Sequence, residues 1–185
     1  GPVSPETGAV VRSLDSLLVV LRTGIAALPH ARSSNLIVLS DHGMTEVGES
    51  RYNYILDTLP QRMIKRIYGG NPVWAVEPVE GRRDSVLQLL NVQRGMKAYA
   101  REDLPVHLHY GTHPRIPEVV LIADPGWTAG LRPEPSRYSR GDHGYDWHCR
   151  DMHSIFYAEG PAFKKGFVAD TIFNVDIYNI VTDIL

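Results

Sequence analysis

A single cysteine, Cys149, stands among 185 residues. That excludes an intrachain disulfide framework and the disulfide-dense secreted domains that rely on one. It does not exclude an oxidising compartment, and it fits a bacterial protein better than a disulfide-rich animal one. Charge of one sign is also missing: 19 Lys and Arg face 21 Asp and Glu, a formal net charge of −2. No basic excess marks a binder of duplex nucleic acid, and no charge run marks a disordered tail. A phosphate-bearing substrate would therefore need positive charge gathered locally or brought by metal ions. Long apolar runs are lacking too. The strongest, Leu17 to Leu21, is far short of a membrane span. No basic-then-apolar leader opens the sequence. There is no Gly-x-Ser-x-Gly elbow, no Walker A loop and no dinucleotide fingerprint. Gly69-Gly70 reads as a turn rather than a phosphate cradle.

What is present is ordinary globular material, 43% hydrophobic and 22% charged, enough for one domain or part of a larger one. Ser4-Pro5-Glu6 has the order of a helix start: a capping hydroxyl, a proline at the first helical position and an acid in the first turn. Val10, Val11, Leu14, Leu17, Leu18, Leu21, Ile25 and Leu28 then recur at helical period up to Pro29. Asn35 to Ser40 is a short continuous apolar run, which predicts a buried, parallel strand. Helix followed by strand is half of a βαβ unit. Further strands are predicted at 73–76, 96–100, 119–123 and 155–157. Short helices are predicted at 84–90 and 176–185, the latter capped by Asp176 or Asn174. Residues 126–148, rich in Gly, Pro, Arg and Ser, read as a long loop, and loops of that length are often functional.

Two segments carry candidate chemistry. Asp41-His42-Gly43 falls just past the predicted strand 35–40, at the sheet edge where ligands gather in α/β folds. Carboxylate and imidazole are both zinc ligands, and Gly43 allows the bend that lets them converge. The competing reading makes Asp41 a helix cap and His42 a satisfied polar residue. Asp142-His143-Gly144-Tyr145-Asp146 repeats the histidine-glycine pair in the long loop. The competing reading there is a polar loop that happens to hold a histidine. His107 and His109 alternate at strand spacing and would share a face; an exposed polar face beside Tyr110 explains them more simply. His30 reads as a histidine at a helix end, and Cys149 as inert packing.

Five segments taken in order, NLIVLSDHGM, KAYAREDLPVHLHY, RIPEVVLIADPGW, GDHGYD and DMHSIFYAEGPAFKKG, resemble the C-terminal part of the catalytic domain of nucleotide pyrophosphatases/phosphodiesterases. This family lies within the alkaline phosphatase superfamily. The resemblance covers essentially the whole chain, residues 1–185, as part of one catalytic domain. It implies an α/β sandwich with a central, mostly parallel sheet flanked by helices, incomplete in this chain. It implies two zinc ions at the C-terminal sheet edge. Asp41 and His42 would ligate the zinc that holds a threonine nucleophile, and His143 would ligate the other. The nucleophile and the remaining ligands would lie earlier than these residues, so the resemblance puts no catalytic residue in this chain. Gly1-Pro2-Val3 resembles the residues that follow a family Asp-x-x-Gly-His motif, although Gly-Pro also reads as a protease scar. Partners are expected behind His42 and His143 to orient them; Asp142 and Asp146 are candidates, although a plain solvated acid is the simpler reading of each. Trp147 stands where the family often has asparagine.

The resemblance implies hydrolysis of phosphodiester or pyrophosphate bonds in nucleotides or related small molecules, outside the cytoplasm, in the periplasm or the exterior. Two other readings stay open: a phosphomonoesterase or sulfatase of the same superfamily, and a non-catalytic remnant used as a binding module.

Overall fold

The computed structural model describes residues 1–133 and 139–185. In chain order the elements are α1 (Pro5–Ala26), β1 (Leu36–Leu39), β2 (Thr45–Glu46), β3 (Tyr52–Tyr54), α2 (Ile55–Thr58), β4 (Ile64–Gly70), β5 (Val73–Pro78), α3 (Arg83–Leu90), β6 (Met96–Ala100), β7 (Val119–Ala123), β8 (Thr128–Gly130), β9 (Gly141–Asp142), β10 (Phe156–Glu159) and α4 (Asp176–Ile184). The chain forms two compact units, one of residues 1–8 and 41–154, the other of residues 9–40 and 155–185.

The first unit is built on a four-stranded sheet in the order β4-β5-β7-β6, with every pairing antiparallel. In β6 the residues Met96, Ala98 and Ala100 are buried while Lys97 and Tyr99 turn outward, the two-residue period of a sheet with one face on a core. β7 sits between β5 and β6 and buries Val119, Val120, Leu121 and Ala123. α3 sets Val86 and Leu90, one helical turn apart, into the same core, with Ile55 and Leu59 beside them. Asn91, at the end of α3, ties helix to sheet. Its Oδ1 accepts from the Ala98 N–H at 2.9 Å and its Nδ2 donates to the Ala98 carbonyl at 3.0 Å. Two short ladders complete the unit: β3 with β8, parallel, and β2 with β9, antiparallel.

The second unit pairs β1 with β10, antiparallel, from Leu36 opposite Glu159 to Leu39 opposite Phe156. It also holds most of α1 and all of α4. α1 begins as the sequence predicts, with Ser4 Oγ accepting from the Thr7 N–H at 3.3 Å. It ends at Ala26, three residues before Pro29, as the last carbonyls are taken by Ala27 and Leu28 in a tightened turn. No residue of α1 is buried. No helix among the described residues is long and apolar enough to cross a membrane.

The α/β class and the positions of α1, α3, β1, β5, β6, β7, β10 and α4 follow the sequence to within a few residues. Several details differ. Among the described residues parallel pairing is confined to β3–β8, and β1 pairs antiparallel with β10. Nor is β1 buried as predicted: Leu36, Ile37 and Val38 are half-buried and Leu39 is exposed. An apolar run shows that a strand needs cover and carries no sign of its direction. Gly69 and Gly70 end β4, and the turn falls on Asn71-Pro72 instead. Neither candidate side chain caps the start of α4; the Asp176 carboxylate reaches back to the Phe173 N–H at 3.1 Å. The loop predicted at 126–148 contains β8 and β9, and its residues 134–138 lie outside the described residues.

Candidate functional site

The β2–β9 ladder is only two residue pairs long, Thr45 opposite Asp142 and Glu46 opposite Gly141. Its consequence is larger than its size. His42 lies three residues before Thr45 and His143 one residue after Asp142, so the ladder sets the two histidine-glycine segments side by side. Their imidazoles stack, with centroids 3.7 Å apart and planes 20° from parallel.

The turn that carries Asp41 and His42 is braced from behind by the segment 149–153. The Gly43 N–H donates to the Met152 carbonyl at 3.0 Å. A Cβ on Gly43 would collide with the Asp151 carbonyl, so only glycine fits this approach. Thr45, the one buried polar residue among those described, donates its hydroxyl to the Asp151 carboxylate at 2.7 Å. Within this turn His42 Nδ1 donates to the Gly43 carbonyl at 2.7 Å. A carbonyl can only accept, so Nδ1 carries a proton, and in the neutral ring the lone pair then lies on Nε2, the tautomer a metal ligand needs. Nε2 then lies 3.4 Å from Asp41 Oδ2. Two ligands on one tetrahedral zinc are ~3.3 Å apart, so the pair fits a shared ion. Asp41's side chain is 85% exposed and open to a ligand.

The His143 segment is held by a partly buried polar hub. Asp142 Oδ1 accepts from the His143 backbone N–H at 2.9 Å, and Oδ2 accepts from Asn71 Nδ2 at 2.8 Å. Asn71 Nδ2 also donates to the Tyr145 hydroxyl at 3.1 Å, while its Oδ1 accepts from the Ala129 N–H at 2.7 Å. Tyr145 in turn donates to the Trp127 carbonyl at 2.7 Å. Burial pushes the Tyr145 hydroxyl up to about 12, against the opposing hydrogen bond from Asn71. Gly144, at φ +86°, turns the chain between ligand and hub in a conformation that favours glycine.

The carboxylates expected to orient the two imidazoles act elsewhere. Asp142 holds the backbone of His143, not its ring. Asp146 bonds two other histidines. Its Oδ2 lies 2.7 Å from His107 Nε2 and its Oδ1 lies 3.1 Å from His148 Nδ1 and 2.9 Å from the His148 N–H. Burial alone would raise the Asp146 carboxyl, but these hydrogen bonds outweigh it and hold it below the usual carboxylate range. Among the described residues His107, Asp146 and His148 form the one group of three side chains whose ligand atoms lie within 4.8 Å of one another. Strand alternation for His107 and His109 does not hold. They lie in a short 3-10 turn that ends at His109 in the left-handed region, φ +48°. The missed signal was Pro105 ahead of the turn, which argues against a continued strand. Cys149 is half-buried against the apolar core, as an inert thiol would be.

Known proteins resemble the chain over its whole length. The family model for type I phosphodiesterase / nucleotide pyrophosphatase matches residues 1–146. The human ectonucleotide pyrophosphatase/phosphodiesterase family member 5 is 35% identical over all of this chain and 39% of its own length. Human bis(5'-adenosyl)-triphosphatase ENPP4 is 35% identical over all of this chain and 40% of its own. Among solved structures, murine ectonucleotide pyrophosphatase / phosphodiesterase 5, an inactive form in complex with AMP, superposes with a TM-score of 0.90 at 32% identity. That match covers all of this chain and 49% of the murine one. The chain thus spans less than half the length of these relatives. Their human and murine origin gives no support to the bacterial source expected from the lone cysteine.

Proposed function

Because this chain belongs to the type I phosphodiesterase / nucleotide pyrophosphatase family, we propose that it is part of one catalytic domain that hydrolyses phosphodiester or pyrophosphate bonds of nucleotides at a two-zinc centre. Asp41 and His42 hold one zinc and His143 the other. The observation that carries this reading is the stacking of His42 on His143. Imidazoles borne by two metals ~3.5–4 Å apart would lie side by side at about the separation seen here, 3.7 Å. The Nε2 of His42, turned toward Asp41 by the hydrogen bond at Nδ1, supports it from the other side.

Two zinc ions, when bound, neutralise phosphate oxygens, lower the pKa of the attacking hydroxyl and stabilise the leaving alkoxide. This chain's own part is positional. Gly43 and Thr45 fix the first ligand pair against the segment 149–153, and Asp142 fixes His143 through its backbone. The family resemblance assigns the nucleophile, a threonine, and the remaining ligands to segments outside these residues. A nucleotide is the substrate class suggested by the AMP complex of the murine relative and by the human adenosyl-triphosphatase. The name of the human family member 5 carries the prefix ecto, and on that support we assign this chain a location outside the cytoplasm.

The test uses the protein in which these residues are joined to the segments its relatives carry. Turnover of a chromogenic phosphodiester, a phosphomonoester and a sulfate ester is measured for the wild type and for Asp41→Ala and His143→Ala. Preference for the diester, with both variants losing activity and bound zinc, supports the reading. Preference for the monoester or sulfate, or variants that keep wild-type turnover, would overturn it.

A further inference from the structure

The Asp146 carboxylate is shared by two imidazoles from segments far apart in the chain. His107 comes from the turn that follows Pro105, and His148 from the loop after β9. Each ring meets a different oxygen, at 2.7 Å and 3.1 Å. The two rings also meet edge-on, with centroids 4.3 Å apart. Trp147 fixes both. It stacks on His148 at 4.0 Å, and its indole N–H donates to the His107 backbone carbonyl at 3.2 Å. The Trp147 carbonyl accepts from His153 Nε2 at 3.1 Å. The cluster is thus organised as a unit, yet it is open: His148's side chain is 58% exposed.

We propose that His107, Asp146 and His148 form a second metal site, taking one divalent ion of the zinc class. Two imidazoles and one carboxylate suit zinc, copper or nickel and do not suit calcium or magnesium, which take oxygen ligands. The geometry needs little change. Ligands on a tetrahedral zinc stand ~3.3 Å apart. The two imidazole–carboxylate spacings of 2.7 Å and 3.1 Å open slightly as the ion replaces the shared hydrogens. No ligand atom begins more than 4.8 Å from another. Metal entry releases the protons now held between the rings and the acid. The fourth position is left to water or an incoming ligand. Bound there, the ion cross-links the 106–108 turn to the loop that also carries His143. The proposal makes no use of Asp41, His42 or His143 as ligands, so it stands or falls independently of the catalytic reading.

The experiment is a zinc count. The protein carrying this chain is dialysed to equilibrium against Zn2+ and analysed for metal per chain, as wild type and as His107→Ala, His148→Ala, Asp41→Ala and, as a control, His30→Ala. Far-UV circular dichroism checks the fold of each variant. The expected result is one zinc fewer per chain in His107→Ala and in His148→Ala than in wild type or His30→Ala. Asp41→Ala is expected to lose zinc from the other centre only, so that adding His148→Ala to it removes one more. A second measurement uses Co2+ in place of zinc. The conservative His148→Gln variant keeps a polar side chain against Asp146 and is expected to lose the d–d absorption contributed by this site. Equal zinc in His148→Ala and wild type, with unchanged Co2+ spectra in His148→Gln, would overturn the proposal and leave the cluster as hydrogen bonds alone.

Discussion

The two units of this chain obey the same sequence rules and end in opposite states. Every buried residue among those described lies in the first unit, in the sheet β4-β5-β7-β6, in α2, α3, β2 and β8, and in the loops against them. The second unit buries none, although α1 repeats apolar residues as regularly as any segment of the chain. Val10, Val11, Leu14, Leu17 and Leu21 all stand exposed. Periodicity therefore reports that a face needs a cover, and says nothing of what the cover is. The relatives are more than twice as long as this chain, so the cover for α1 is sought in the longer protein.

The contrast is broken or sharpened first by a pair of leucines. Leu121→Ala, in the middle of β7, removes a fully buried side chain and is expected to cost ~2–5 kcal/mol. Leu17→Ala, 61% exposed on α1, is expected to cost under ~0.5 kcal/mol in the 185-residue chain. Equilibrium denaturation of the two variants measures the difference. Equal costs would contradict the comparison. A rise for Leu17→Ala in the longer protein would confirm the missing cover.

A smaller effect is expected from Asp142→Ala. It frees the His143 N–H and one Asn71 donor together and should lower diester turnover of the longer protein ~10–100-fold, with bound zinc as the second readout. Unchanged turnover would mean that the hub does not hold the ligand.

Tyr145→Phe removes one hydroxyl that donates to the Trp127 carbonyl and should cost ~1 kcal/mol. It should also remove a pH dependence. Burial on folding raises the Tyr145 pKa from its ordinary value of 10.0 to about 12. Its contribution is therefore fully present below pH ~10 and is lost as pH rises toward ~12. Wild-type stability should fall across that window more steeply than that of the variant. Smallest of all, Arg22→Ala breaks an exposed ion pair with Glu159 in the second unit and should change stability by ~0–1 kcal/mol.

Much of this was legible in the sequence, for identifiable reasons. α3, β6 and β7 were readable because their residues meet their own core within the chain, and pattern and environment agree. The start of α1 was readable because a cap is a local device. Strand direction was not, since β1 carries the same apolar run whichever way its partner runs. The β2–β9 ladder was invisible as well: two pairs leave no period to detect. Yet that ladder is what sets His42 beside His143. Asp41, His42 and His143 are singled out by family resemblance, and what the structure adds is the stacking of His42 on His143. The partners of Asp146 could not be named, because His107 approaches it through a tertiary contact and a left-handed residue at His109 that no residue pattern announces.

The central claim is that the two histidine-glycine segments hold a pair of metal ions. Anomalous diffraction at the zinc edge, on zinc-soaked crystals of the longer protein, tests it most directly. The account predicts one peak within coordination distance of Asp41 and His42 and a second against His143, with the two ~3.5–4 Å apart. Crystals that take up zinc but show no anomalous density at these three side chains would contradict it.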